Sequence, residues 1–279
     1  MGQGIPGSFE GVFLRWEEGT EEEGMSQKDE LLNRLKSSSG LLLLLDFDGT
    51  LVDIAPTPDS VIPPPELKIV LRQLLERPMT NVAILSGRSL SELQEFIPST
   101  IPVALAGCHG CELQMPGELE QSILDDEEIQ QDLDDFATSL EELADWPGII
   151  IEHKGCAVAM HYRLADETTV EHAYEEFYSK AEALENYEEM EIVEGKYVVE
   201  LRPSGMNKGI AVSFLVENFC PSDNALIVYF GDDTTDLDGF AALPEGALRV
   251  AVGEKLADQA DYVFSSPAEL LELMRGLLQ

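Results

Sequence analysis

The chain predicts a doubly wound α/β core built on a parallel sheet, interrupted by an inserted αββαββ unit with an antiparallel sheet of its own. Three observations carry this. Continuous apolar runs of strand length at 41–45, 82–85 and 226–230 each stop at a short polar motif, as parallel strands covered on both faces do. Helical patterns separate these runs, giving the βαβ rhythm. Between 124 and 202 the pattern becomes helix, hairpin, helix, hairpin, with strands that alternate apolar and polar residues, the sign of an antiparallel sheet with one polar face.

Residues 1–39 read as an N-terminal extension, partly flexible: glycines at the start, an acidic run at 17–24, then one short amphipathic helix around Leu31, Leu32 and Leu35. The first core strand, 41–45, ends at Asp46. A helix at 66–76 leads to the strand 82–85, which stops at Ser86, and 103–106 is a further short strand. In the insert, a helical stretch at 124–143 precedes a hairpin, 149–153 and 157–163, that turns at Lys154-Gly155; a second helix at 167–184 precedes a pair at 191–193 and 197–202 around a Glu-Gly turn. The strands 226–230 and 249–252 complete the core, with helices between and after them. The expected domains are therefore a core of 40–108 and 203–279 and an insert of 109–202.

Composition narrows the function. The 279 residues hold 54 acidic against 17 basic side chains, a formal net charge of -37, so nucleic acid and anionic membranes are poor partners. Such a surface has two readings, adaptation to high salt or simple solvation. No run approaches the roughly 20 apolar residues of a membrane span, and no secretory leader pattern opens the chain. Four cysteines, none needed to staple a fold of this size, agree with a reducing compartment, and the expected location is cytoplasmic. A monomer is expected.

The chemistry sits at strand ends. Asp46-Phe47-Asp48-Gly49-Thr50 follows the first strand, and its two aspartates, two residues apart, point to one side of an extended segment. Gly49 permits the turn and Thr50 is expected to fix it. One carboxylate as nucleophile and a second as acid and then base are what aspartyl-phosphate turnover requires. Gly231-Asp232-Asp233-Thr234-Thr235-Asp236 repeats the layout after another buried strand. Carboxylates converging from both loops would repel one another and any phosphate unless a cation joined them, and magnesium prefers such oxygen ligands. Ser86-Gly87-Arg88 brings a hydroxyl and backbone N–H groups to a helix start, and Lys208 offers a point charge for a phosphoryl oxygen.

The order of these four motifs resembles the haloacid dehalogenase-like superfamily, whose core is Rossmann-like, and Asp48 marks its phosphatase branch. The resemblance implies Asp46 as nucleophile, Asp48 as acid/base, and Ser86 and Lys208 as ligands of the transferred phosphate. It further implies that Asp46, the backbone carbonyl of Asp48 and Asp232 ligate magnesium, with Asp233 and Asp236 as outer supports, and that the insert is a substrate-selecting cap.

Few basic residues occur in the insert, and most lie on its strands. By strand parity Glu152 with Lys154, His161 with Arg163, and Lys196 with Glu200 and Arg202 take the polar face, while Val158, Met160, Tyr162, Tyr197, Val199 and Leu201 take the other. The polar faces then form a surface for sugar hydroxyls and phosphate. The segments 107–112, 152–163 and 195–203 resemble trehalose-6-phosphate phosphatases. That resemblance implies that Glu152, Lys154, Arg163, Lys196 and Glu200 hold a disaccharide, with Arg88 added from the core. The substrate is then trehalose 6-phosphate, with sucrose phosphate or a glycosyl-phosphoglycerate as alternatives. A trehalose-6-phosphate synthase is the expected partner, and a non-catalytic regulator of such a synthase is the reading from another class. Leu237 stands where the family has an acid. Cys108-x-x-Cys111, which in another setting marks a redox pair or half a zinc site, falls on free positions of the family's G-x-H-G-x-E pattern, and His109 reads as a hinge-side residue. Hinges are expected at 107–112 and 203–207.

Overall fold

The computed structural model describes residues 26–55, 60–119, 121–122, 127–195 and 197–279. In chain order its first half comprises α1 (Gln27–Ser37), β1 (Leu41–Asp46), α2 (Leu67–Glu76), β2 (Thr80–Leu85), α3 (Leu90–Phe96), β3 (Ala104–Gly107), β4 (Glu112–Gln114) and β5 (Gln121–Ser122). The insert holds α4 (Glu127–Ser139), α5 (Glu141–Ala144), β6 (Ile150–His153), β7 (Val158–His161), α6 (Glu167–Ala181), β8 (Met190–Gly195) and β9 (Val198–Pro203). The return to the core gives α7 (Lys208–Phe219), β10 (Leu226–Gly231), α8 (Asp236–Ala241), β11 (Leu248–Val252), β12 (Tyr262–Phe264) and α9 (Pro267–Leu277).

Every residue of β1 is buried. Alternation sends Leu41, Leu43 and Leu45 into one apolar cluster and Leu42 and Leu44 into the other, so one run of leucines serves both faces of the sheet. β10 does the same with Val228 and Phe230 on one side and Ile227 and Tyr229 on the other. The sheet runs β12-β11-β10-β1-β2-β3-β4-β5, parallel from β12 to β3. From β1 the chain winds outward through β2 and β3; after the insert it returns on the far side of β1 and winds the other way. The β1/β10 seam is therefore the topological switch point, where α/β sheets open a crevice at the carboxyl ends of their strands.

Two features differ from the sequence reading. β4 pairs antiparallel onto β3 and β5 antiparallel onto β4, so the core sheet runs beyond the boundary drawn at 108 into the span assigned to the insert. Strands this short carry almost no periodicity to read. The helix of the N-terminal extension belongs to the core: Ser26 caps it, Leu31 and Leu35 are buried in the same cluster as Leu41, and the Arg77 guanidinium donates to the Leu35 carbonyl at its end. The acidic run at 17–24 lies outside the described residues.

The insert's four strands form an antiparallel sheet ordered β6-β7-β9-β8. Val158, Met160, Val199 and Leu201 pack on Phe136 of α4 and Phe177 of α6, whose rings meet edge to face at 5.0 Å. Tyr197 is the exception to the predicted parity. It precedes β9 at φ 67° in the left-handed region, is 47% exposed, and lies under the Arg163 guanidinium at 5.1 Å instead of packing on the helices.

Candidate active site

Register brings the strand tips together. Asp46 pairs with Leu85 across β1 and β2, so Ser86 is the next residue along; Leu45 pairs with Phe230 across β1 and β10, so Asp46 lies beside Gly231 and just short of Asp232. Gly49, at φ 86°, lets the loop after β1 reach the second acidic loop, since a Cβ there would lie 2.1 Å from Asp232 Oδ2. The loop is closed by backbone bonds, from the Gly49 N–H to the Val52 carbonyl at 2.8 Å and from the Leu51 N–H to the Phe47 carbonyl at 2.9 Å. Thr50, expected to fix this turn through its hydroxyl, is buried, and its Oγ1 makes no hydrogen bond.

Lys208, at the first turn of α7 behind the Asn207 cap, is 3% exposed and donates to Asp46 Oδ1 and to Asp236 Oδ1, both at 2.6 Å. Burial alone would lower the pKa of this ammonium, but Asp46 and Asp236 outweigh it and raise the value. Burial drives the Asp46 carboxyl well above its ordinary range; Lys208 pulls it back, while Asp236 and Asp232 add to the rise. Asp236 is fully buried and fully used. Its Oδ1 also accepts from the Tyr229 hydroxyl at 2.8 Å, and its Oδ2 accepts from the Asp232 and Asp233 N–H groups at 3.0 Å each. It shapes the second acidic loop from beneath. Asp232 is pushed up to about 6, by burial first and by Asp236 next. Asp233 points outward to Lys255 and the Thr234 hydroxyl; these contacts overcome the opposing effect of burial and hold its carboxyl below the usual value.

These groups fit a divalent cation. Carboxylate oxygens of Asp46, Asp232 and Asp236 lie within 4.8 Å of one another, and Asp46 Oδ2 is buried with no hydrogen-bond partner. Because every oxygen lone pair of Asp236 already faces a donor, Asp46 and Asp232 are the carboxylates left to ligate.

Asp48 and Arg88 meet across the loops: Nε donates to Oδ2 at 2.6 Å and Nη2 to Oδ1 at 2.9 Å. Arg88 also reaches Glu92 at 3.3 Å and lies over the rings of Phe47 and Phe96. The sequence reading placed Arg88 against substrate, whereas here its fork is turned to Asp48. Ser86 is buried, and its Oγ accepts from the Arg88 N–H at 3.2 Å; α3 then starts from the Ser89–Glu92 capping box.

The insert's polar face closes over this floor. Lys154 Nζ lies 3.0 Å from Glu200 Oε2 and 3.9 Å from Glu152 Oε2, and His161 Nε2 lies 2.7 Å from Glu152 Oε2. Burial opposes ionisation of Glu152 and Glu200, yet His161 for the first and Lys154 for both hold the two carboxyls below the ordinary value. One cleft of about 630 Å³ is lined by Asp46, Asp48, Ser86, Arg88, Lys208, Asp232 and Asp233 from the core and by Glu152, Lys154, Arg163 and Glu200 from the insert. Lys196 lies outside the described residues. Sequence reasoning missed Tyr229, whose hydroxyl hides inside an apolar strand, and Lys255, which follows β11 much as the acidic loops follow β1 and β10.

A parallel core with acidic strand tips at its switch point, covered by an αββαββ insert, shares its fold with a solved haloacid dehalogenase-like hydrolase from Bacteroides thetaiotaomicron, 16% identical with a TM-score of 0.60 over 85% of this chain. Residues 44–260 match the model of the trehalose-phosphatase family, and the chain belongs to that family of phosphoric monoester hydrolases. A probable trehalose-phosphate phosphatase of Sinorhizobium fredii is 34% identical over 242 residues, covering 85% of each chain. A bifunctional trehalose-6-phosphate synthase/phosphatase of Thermoproteus tenax is 35% identical over 233 residues, 81% of this chain but only 30% of that protein's length. The solved C-terminal domain of Candida albicans trehalose-6-phosphate phosphatase is 28% identical, with a TM-score of 0.72 over 90% of this chain and 96% of that one. No helix among the described residues is long and apolar enough to cross a membrane.

Proposed function

We propose that the chain hydrolyses trehalose 6-phosphate to trehalose and inorganic phosphate through an aspartyl-phosphate on Asp46. The observation that carries this reading is the opposition of two surfaces across one cleft: Asp46, Asp48, Ser86 and Lys208 below, Glu152, Lys154 and Glu200 above. Family membership and the phosphatase relatives support it.

Asp46 attacks the phosphorus in line while Asp48, its carboxyl oriented by Arg88 and protonated from solvent before the attack, gives that proton to the departing sugar oxygen. Asp48, now a base, takes a proton from the water that attacks the phosphorus, and the bond to Asp46 breaks. Lys208 favours the ionised form of Asp46 against the effect of burial and, with the Ser86 hydroxyl, neutralises and orients the phosphoryl oxygens. A magnesium ion held by Asp46, Asp232 and the Asp48 carbonyl would supply electrostatic relief of the phosphoryl charge. The cap carboxylates and Lys154 bind sugar hydroxyls, and closure of the cap excludes bulk water. The name of the Thermoproteus relative couples synthase and phosphatase, which supports a trehalose-6-phosphate synthase as the source of substrate.

Phosphate release is to be measured with magnesium on trehalose 6-phosphate, sucrose 6-phosphate and a glucosyl-phosphoglycerate, using wild type and Asp46→Asn. Preference for trehalose 6-phosphate and loss of turnover in the variant are expected. Turnover surviving in Asp46→Asn, or preference for another ester, would overturn the assignment.

A further inference from the structure

Three cysteines meet where the insert joins the core. Cys108 and Cys111 lie on the turn after β3, Cys156 on the turn between β6 and β7; all three are buried, with Met206 of the return crossing packed against them. The C-x-x-C residues do not pair with each other. Cys111 is bonded to Cys156, 45 residues away in sequence, with Cα atoms 6.3 Å apart. Cys108 remains a thiol that donates to the Lys154 carbonyl at 2.8 Å.

We propose that Cys111 and Cys156 form a reversible thiol–disulfide site that takes a low-molecular-weight disulfide as co-reactant and tethers the insert to the core. The seam buries both sulfurs, so the site opens to a small reagent when the cap swings away. One cysteine thiolate attacks the reagent; its S–S bond breaks, a small thiolate leaves and a mixed disulfide forms. The second cysteine, its proton lost to water, attacks the protein sulfur of that mixed disulfide and expels the second small thiolate. Two protein thiols are thus oxidised by two electrons and one small disulfide is reduced to two thiols. Cys108 stays out of this exchange, because burial and the nearby Glu112 carboxylate push its thiol far above the ordinary range.

The position gives the bond its consequence. Cys156 follows Lys154-Gly155, and Cys111 belongs to the crossing segment in which Cys108, His109 and Gly110 all adopt positive φ. Bonding the two pins the Lys154 turn to the hinge and restrains the opening that product release needs. The effect on turnover rests on the phosphatase reading; the bond itself does not.

The full chain is to be equilibrated in glutathione buffers of graded oxidised fraction, then analysed by peptide mapping without reduction, thermal melting and phosphate release, with Cys156→Ser alongside. Expected are a peptide linking Cys111 and Cys156 that disappears on reduction, and a melting point raised by roughly 5–10 °C on oxidation. A several-fold lower kcat in the oxidised wild type, with no such response in the variant, completes the expectation. The map and the melt need no substrate, so they stand if the sugar assignment fails. Free thiols at both positions after oxidation, equal responses of variant and wild type, or stoichiometric zinc held by the reduced chain through Cys108, Glu112 and Cys156 would overturn the proposal.

Discussion

The Arg88 guanidinium holds the Asp48 carboxylate in a two-point grip, at 2.6 and 2.9 Å, while the flat faces of Phe47 and Phe96 flank it. A planar fork matched to a carboxylate fixes direction as well as charge, which a lysine cannot do. Arg88→Lys should therefore lower kcat about 10- to 100-fold with little change in KM, because the acid/base loses its aim while the sugar site stays intact. Steady-state kinetics on trehalose 6-phosphate check this; a rise in KM at constant kcat would instead place Arg88 against substrate.

Lys208 is the counter-charge of a buried acidic pair. Replacing it with methionine keeps the volume but leaves Asp46 and Asp236 facing each other in a dry site. Removing one member of a buried ion network costs about 3–5 kcal/mol. Lys208→Met should lower the unfolding free energy obtained from urea titration by that amount and show no phosphatase activity, whereas Lys255→Met, at an exposed ion pair, should unfold as wild type does.

Much of this site was legible because its geometry is set by strand register, and strand register follows apolar runs. The leucines of β1 and the mixed apolar run of β10 point to Asp46 and Asp232 at their ends from the sequence alone. The cap sheet was legible for the same reason, since Val158, Met160, Val199 and Leu201 fall on one parity. What escaped depends on side-chain contacts that no local sequence pattern announces. Arg88 turns to Asp48 across 40 residues, Tyr229 reaches out of an apolar strand to Asp236, and Cys111 finds Cys156 instead of Cys108. Tyr197 escaped because its left-handed backbone breaks the alternation on which parity depends.

Lys154 and Glu200 are partners in the cap, 3.0 Å apart and both largely buried. Lys154→Ala strips Glu200 of its counter-charge and removes a donor for sugar hydroxyls. For trehalose 6-phosphate, kcat/KM should fall about 10- to 100-fold, mostly through KM, in keeping with the loss of one or two charged hydrogen bonds. Hydrolysis of p-nitrophenyl phosphate, which presents no sugar, should change less than threefold on that same scale. Equal losses on both substrates would show that Lys154 serves the phosphate and not the sugar.

Asp232 couples stability to pH and to the metal. Its folded value of about 6, raised by burial and by Asp236, stands above the ordinary 3.8. Between these two values the folded chain binds more of the proton than the unfolded chain does, so this group's contribution to stability is fully present below pH 3.8 and is lost as pH rises through about 6. A divalent cation relieves the same repulsion, and it does so only when the carboxylate is ionised. Thermal melts with excess magnesium and with a chelator should therefore separate widely at pH 8 and converge toward pH 5. Asp232→Asn should lose the magnesium shift at both values while melting at least as high as wild type in chelator at pH 8. If the magnesium shift were the same at pH 5 and pH 8, the cation would be binding elsewhere on this acidic surface, away from the tips of β1 and β10.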